Sequence, residues 1–571
     1  MTSKKWIRKN DKITPEMIMD AANKSGMPPI VATVLLNRGI AVSDFRQFIS
    51  KSKQGILSPE TMLDMDKAVA RVCRGIESGE KIVVYGDYDV DGITSTALLY
   101  DALKSLGANV DYYIPDRKDE GYGINIMAVN KLIKSGVNLL ITVDCGITAV
   151  GEVEFAKLQG MDIIITDHHT CKERIPEAAE AVINPKRPDD EYEFEALAGV
   201  GVAFKLAMGV AMRMGRSAGE FFEKYVDLTA IGTIADVVPL VNENRVIVDR
   251  GLALLQEPKR PGLRALIEVA GMADKKVNCA TVAFGLAPRL NAAGRMGSAT
   301  TAVELLLTKD DSRALEIARE LDEVNKKRQE TEYEIHRDAL EMIEADKDFD
   351  KKKVIVLAKE GWHNGVIGIV ASRITETYHR PCILISITDG VGKGSGRSVQ
   401  GFNLFEALSS CGELLTNFGG HAIASGLGIN ETNIEEFTKQ INQYAKENLD
   451  DDAMIPQIKI DAPLKGETLT LATAKTLNVL EPFGMGNETP VFAVYGAQIV
   501  SVSGVGAERK HIRMEIKKDS ARVNCIGFGM GEFVNSLTPG MQVDIAFKID
   551  INNYMGKETL QLVLTDIKTS N

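Results

Sequence analysis

Cysteine is sparse: seven occur in 571 residues, at positions 73, 145, 171, 279, 382, 411 and 525, and no two form a CxxC pair. That argues against a disulfide framework and a structural zinc site, and it suits a reduced compartment. No segment approaches the roughly eighteen uncharged apolar residues that a membrane-spanning helix needs. The basic opening "MTSKKWIRKNDK" is not followed by an apolar run, so it does not read as a secretory signal, and a cytoplasmic location is the expectation. Excess positive charge is missing as well. Lysine and arginine total 67 against 79 acids, a net −12, which gives no bulk attraction to nucleic acid or anionic lipid. Any polyanion site has to be local.

What remains is an ordinary soluble composition, 44% apolar and 26% charged. At roughly 150 residues per domain the chain has room for about three or four domains. Residues 1–50 read as a helical lead-in, with Thr14 as cap, Pro15 at the first helical position and Gly26 as stop. A first α/β domain is expected over 51–305. Its runs "KIVVYGD", "ANVDYYIPD", "NLLITVD", "DIIITD" and "AVINP" alternate with helical segments, the pattern of a doubly wound parallel sheet. Residues 306–350 lack glycine and proline and space Leu, Ile and Val at helical intervals, which predicts a long linking helix. A smaller α/β domain follows over 351–450. Over 455–571 short alternating strands, such as "KHIRMEIKK", predict a small β-barrel of the OB type, with a sandwich as the similar alternative.

In an open parallel sheet ligands bind beyond the carboxyl ends of the strands, so the residues that stop each apolar run are the candidates. Three runs stop on acids: Asp87, Asp89 and Asp91 in "GDYDVDG", Asp144 in "VDCG", and Asp167 with His168 and His169 in "TDHH". Any one of these alone reads as a helix cap or turn aspartate. Together they would repel one another unless cations held them, and oxygen ligands with imidazole suit Mn²⁺ or Mg²⁺.

These segments resemble the DHH phosphoesterase superfamily, whose name is the triplet at 167–169. "LTAIGTIADVVPL" is similar to a further acidic motif of its RecJ branch, and adds Asp236. "APRLNAAGRMG", "GWHNGVIGIVASR", "GSGRS", "FGGHAIASG" and "LEPFGMGNETP" follow in family order, so the resemblance covers roughly residues 80–570. It implies a DHH domain, a DHHA1 domain and an OB domain, and a metal-dependent hydrolase: a 5′-to-3′ exonuclease that degrades single-stranded DNA to mononucleotides in recombination and repair. Two alternatives stay open, a DHH phosphodiesterase for short oligonucleotides or cyclic dinucleotides, and a non-catalytic replication scaffold.

Carried over by position, Asp89, Asp91, Asp144, His168 and Asp236 bind two Mn²⁺ or Mg²⁺ ions, with Asp87 as a further or outer ligand. His169 is a catalytic residue of open role. Arg117, Arg289, Arg295, Ser395 and Arg397 grip the 5′ end of the strand, with Gly420 and His421 alongside it. A helicase and a single-strand-binding protein are the partners the resemblance implies. The residues themselves add two expectations. Residues 351–400 hold eight Lys or Arg against three acids, a local basic excess, and "GKGSGRS" is expected to expose backbone N–H groups as a phosphate nest.

Overall fold

The computed structural model describes residues 4–117, 120–121, 123–554 and 556–570. Two compact units form, one mainly Pro288–Leu305 and Asp310–Gln457, the other mainly Trp6–Ala287 and Ile458–Asn571. The larger unit holds a five-stranded sheet, β1 Lys81–Tyr85, β2 Asn109–Tyr113, β3 Leu139–Val143, β4 Asp162–Thr166 and β5 Ala181–Ile183, in the order β2-β1-β3-β4-β5. All four pairings are parallel. The chain steps outward to β2 and returns to β3, so the strand order reverses between β1 and β3, where such sheets bind ligands.

Alternate strand residues serve opposite faces. Val83, Tyr85, Leu140, Ile163 and Ile165 pack into one core with Val129, Leu132 and Val153, from helices Ile126–Lys134 and Val150–Leu158. On the sequence between β1 and β2 lies helix α1, Val90–Ser105, which packs against α2, Gly199–Arg213, and α3, Ala218–Ala235. The strand pattern was legible, but these long helices after β5 were not: α2 and α3 are buried nearly all round, and their periodicity is blurred accordingly.

The lead-in behaves locally as expected, with the Thr14 hydroxyl accepting from Met17 N and Gly26 in the left-handed region at φ 74°. Its core does not stand alone. Val31, Leu35, Phe45 and Phe48 share one apolar cluster with Phe492, Ile512 and Phe547 of the C-terminal barrel. That barrel runs β11 Phe492–Val505, β12 His511–Lys518, β13 Ala521–Gly527, β14 Gln542–Tyr554 and β15 Lys557–Thr569, and closes through a β11–β14 pairing.

The smaller unit contains the long helix α4, Asp311–Ala345, and a five-stranded mixed sheet. Its strands are β6 Ile355–Glu360, β7 Cys382–Thr388, β8 Val391–Arg397, β9 Leu415–Gly420 and β10 Ala424–Asn430, in the order β9-β10-β8-β7-β6. Helix α5, Ile367–Tyr378, covers one face over β7 and β8. Among the described residues no helix is long and apolar enough to cross a membrane.

Candidate metal centre

Strand register brings the acids to one edge. Tyr85 pairs with Thr142 and Val143 with Thr166, so β3 and β4 end level and β1 ends one residue short; Asp144 and Asp167 follow directly, and Asp87 follows after Gly86. Asp89 caps α1, accepting from Gly92 N at 3.1 Å, and that places Asp91 in the first helical turn. Asp236 ends α3 as its C-cap.

Ligand-capable atoms meet in two adjoining groups, Asp87–Asp89–Asp144 and Asp91–His168–Asp236, each with its atoms within 4.8 Å of one another; a third group joins Asp144, His168 and His169. His168 Nε2 lies 3.2 Å from Asp144 Oδ1, 3.6 Å from Asp236 Oδ2 and 3.8 Å from Asp91 Oδ2. All six residues expected to bind metal are therefore gathered here, and His169 adjoins them.

Asp91 is fixed from outside the cluster. Gly199 N and Val200 N, at the N-terminus of α2, donate to its Oδ2 and Oδ1 at 2.7 and 2.8 Å, so a helix dipole supports this buried carboxylate. Asp167 has a different part from its neighbours. Its carboxylate accepts from Ile147 N, His168 N and His169 N and bonds His169 Nδ1 at 2.7 Å, so it ties the turn together and aims the His169 imidazole. Burial works against that charge, but the His169 bonds outweigh it and hold Asp167 below the usual carboxylate range. Burial likewise opposes a charged His169, and the hydrogen bond to Asp167 raises its pKa nonetheless.

The remaining acids sit badly without cations. Burial, then the Asp89 charge, pushes Asp87 up to about 8 and Asp236 up to about 7. Burial, then neighbouring carboxylates, raises Asp91 and Asp144 well above the usual value. His168 is held down at about 3, by burial first and then by His169, which leaves it neutral and able to ligate. Asp87 Oδ1, Asp144 Oδ1 and His168 Nε2 are buried with no hydrogen-bond partner. Natively buried polar atoms of this kind need a partner, and a hard divalent cation with oxygen and imidazole ligands fits the donor set.

A pH dependence follows. Groups with raised folded pKa stabilise the metal-free fold while protonated, and that contribution is lost as pH rises through about 7 to 8. Metal has to displace those protons, so apparent Mn²⁺ affinity is expected to rise steeply from about pH 6 to about pH 8, with proton release. Calorimetry in two buffers of different ionisation enthalpy checks this; affinity independent of pH would contradict it.

The residues expected at the 5′ end are placed as follows. Arg117 stacks over the Tyr88 ring at 4.9 Å, beside the acidic loop. In the smaller unit Arg289 pairs with Asp322 at 2.8 Å, and Arg295 Nη1 donates to Gly365 O at 3.1 Å. Ser395 and Arg397 share one face of β8, with Arg397 Nη1 donating to Ser395 Oγ at 3.2 Å. Gly420 ends β9 and His421 begins the exposed turn to β10, whose Ala424 pairs with Arg397.

One expectation fails. "GKGSGRS" is no nest: it is β8, a central strand laddered to β7 and β10, so its backbone N–H groups are engaged within the sheet. The local basic excess holds, but five of its eight residues are paired. Lys351, Lys352, Lys353, Lys359 and Arg373 pair with Asp348, Asp346, Asp451, Asp338 and Glu332, acids that all lie outside the window.

Residues 81–233 match the DHH family N-terminal domain, 351–447 the DHHA1 domain and 460–566 the RecJ OB domain. The chain is 40% identical over 545 residues to the single-stranded-DNA-specific exonuclease RecJ of Bacillus subtilis (strain 168), which covers 95% of this chain and 68% of that one. It is 35% identical over 560 residues to the enzyme of the same name from Escherichia coli (strain K12), covering 95% and 96%. Among solved structures, RecJ from Thermus thermophilus in complex with Mn²⁺ superposes with a TM-score of 0.85 at 31% identity, over 99% of this chain and 80% of that one. Three matched domains in order, relatives of 35–40% identity that cover 95% of this chain, and the clustered acids lead to one assignment: the chain belongs to the RecJ family.

Proposed function

We propose that this protein is a Mn²⁺- or Mg²⁺-dependent exonuclease that degrades single-stranded DNA from its 5′ end to mononucleotides. The observation that carries the reading is the largely buried cluster of five aspartates and His168 at the sheet edge, with partnerless ligand atoms. Divalent ions held there supply Lewis acidity to the scissile phosphodiester and to the attacking water.

Asp87, Asp89 and Asp144 would hold one ion, and Asp91, His168 and Asp236 the other. Asp167 orients the His169 ring and pins the backbone of His168. His169, half-exposed and with its pKa raised by the Asp167 hydrogen bond, is placed to donate a proton or a hydrogen bond to a phosphate oxygen at the rim of the cluster. In this reading Ser395, Arg397 and Arg295 bind the terminal phosphate, Arg117 and Arg289 assist, and Gly420 and His421 border the strand. Delivery of the strand by a helicase or a single-strand-binding protein, and a cytoplasmic site of action, belong to the same reading.

The terminal-phosphate assignment has a steric test. Gly368 lies in the first turn of α5, and a Cβ there would stand 2.8 Å from Ser395 Oγ and 3.1 Å from Arg397 Nη2. Gly368→Ala is expected to raise KM for 5′-phosphorylated strands about 10-fold while kcat holds, because it displaces binding groups and not the reacting ones. An unchanged KM would separate Ser395 and Arg397 from the strand.

Function is tested by incubating the protein with Mn²⁺ and a 5′-labelled single strand, its duplex, a dinucleotide or a cyclic dinucleotide. Release of mononucleotides from the single strand alone supports the proposal. Hydrolysis restricted to the dinucleotides would favour a small-substrate phosphodiesterase, and no hydrolysis at all a scaffold.

A further inference from the structure

The turn after β5, residues 184–187, falls at the same sheet edge as the acids but carries the opposite charge. Asp167 N donates to Ile183 O at 3.1 Å, so β5 ends against the DHH turn. Asn184 is fully buried and joins the two segments: its Nδ2 donates to His169 O at 2.9 Å and its Oδ1 accepts from Lys186 N at 2.9 Å. On the other side Arg187 is locked by Asp64, Asp189 and Val182 O. Lys186 is thus held from both sides in a turn clamped to the metal centre.

Arg187 is fully committed to structure, whereas Lys186 is half-buried and, among the described residues, forms no ion pair. Its charge bears on His168 and on Asp236, lowering the pKa of both. The environment calls for such a group. Even with two divalent ions bound, five carboxylates leave the pocket negative, and a phosphodiester gains further charge on its non-bridging oxygens as water attacks.

We infer that Lys186 is a further catalytic residue, whose ammonium contacts a non-bridging oxygen of the scissile phosphate. The inference rests on the exonuclease reading above. Lys186 takes no proton and forms no bond in the reaction; it is a point charge that the Asn184 turn positions, and it acts where negative charge accumulates.

Lys186→Met keeps the length of the side chain and removes the charge. Expected are a kcat about 50-fold lower on a saturating single strand, an unchanged melting temperature, and Mn²⁺ binding several-fold tighter by calorimetry, since a repelling cation is gone. Lys186→Arg is expected to recover most of the rate. A kcat within about threefold of wild type, or Mn²⁺ affinity that falls along with kcat, would overturn the inference, the second result placing Lys186 in support of the ligands instead. A wild-type protein inactive on every strand would overturn the function and this inference together, so the two failures are distinguishable.

Discussion

Asp144→Asn is expected to make the metal-free protein more stable while lowering strand cleavage by at least about 10³-fold, or ~4 kcal/mol of transition-state stabilisation. Asp144 is fully buried, and its Oδ1 has no hydrogen-bond partner. Burial, then Asp91, Asp89 and Asp87, makes its ionised form unfavourable. Its backbone is left-handed at φ 61°, a conformation asparagine adopts as readily as aspartate, so the change removes charge without new strain. The raised folded pKa fixes the sign. Wild type is favoured when this carboxyl is protonated and loses stability as pH rises, so the gain from asparagine should grow from pH 5 to pH 8 and exceed about 1 kcal/mol at the higher pH. That corresponds to a few degrees in Tm. Scanning calorimetry with and without Mn²⁺ checks it: the variant should melt above metal-free wild type and show little further rise on adding the ion. A variant less stable than metal-free wild type would mean that the acids are not in mutual repulsion.

Gly199→Ala is expected to cost between about 10² and 10³ in kcat, through a single methyl group that touches no substrate. A Cβ at this position would stand 2.5 Å from Asp144 Oδ1 and 2.6 Å from its Cβ. The same residue supplies the N–H that holds Asp91 at 2.7 Å. Alanine therefore displaces a ligand of one ion group and loosens the anchor of the other, with an overpacking cost of about 1–3 kcal/mol. Gly201→Ala is the control. It lies on the same helix, but its Cβ would meet only the Leu197 side chain at 3.2 Å, which can yield, and activity should stay within about threefold. Single-turnover rates at saturating Mn²⁺ separate the two; equal effects would mean that helix stability, and not ligand placement, governs activity.

The acids were legible because they obey a local rule. Asp87, Asp144 and Asp167 each stand at the end of an apolar strand run, and neighbouring parallel strands bring such residues together whatever else the fold does, whereas Asp236 ends a helix and was legible only through the family resemblance. The long charged helix and the barrel strands were legible for the same reason, a periodicity contained within each segment. What the chain concealed depends on partners distant in sequence. Lys353 reads as part of a local basic excess until Asp451 arrives from another segment, and Gly394 and Gly396 read as a phosphate nest until β7 and β10 flank them. Asp167 looks like a ligand equal to its neighbours, and only the N–H of Ile147 and the His169 ring reveal it as the anchor of the turn. Gly199 and Lys186 carried no signal of their own. Their importance comes from contact with Asp144 and Asp91 in one case, and with the buried Asn184 bridge in the other.

The central claim is that Asp87, Asp89, Asp91, Asp144, His168 and Asp236 form the metal centre of this enzyme. Anomalous diffraction at the manganese edge, from crystals grown with Mn²⁺, tests it most directly. The account predicts two peaks, each about 2.0–2.4 Å from its ligand atoms, one in the Asp87–Asp89–Asp144 group and one in the Asp91–His168–Asp236 group. Manganese bound only elsewhere, in protein that still degrades single-stranded DNA, would contradict it.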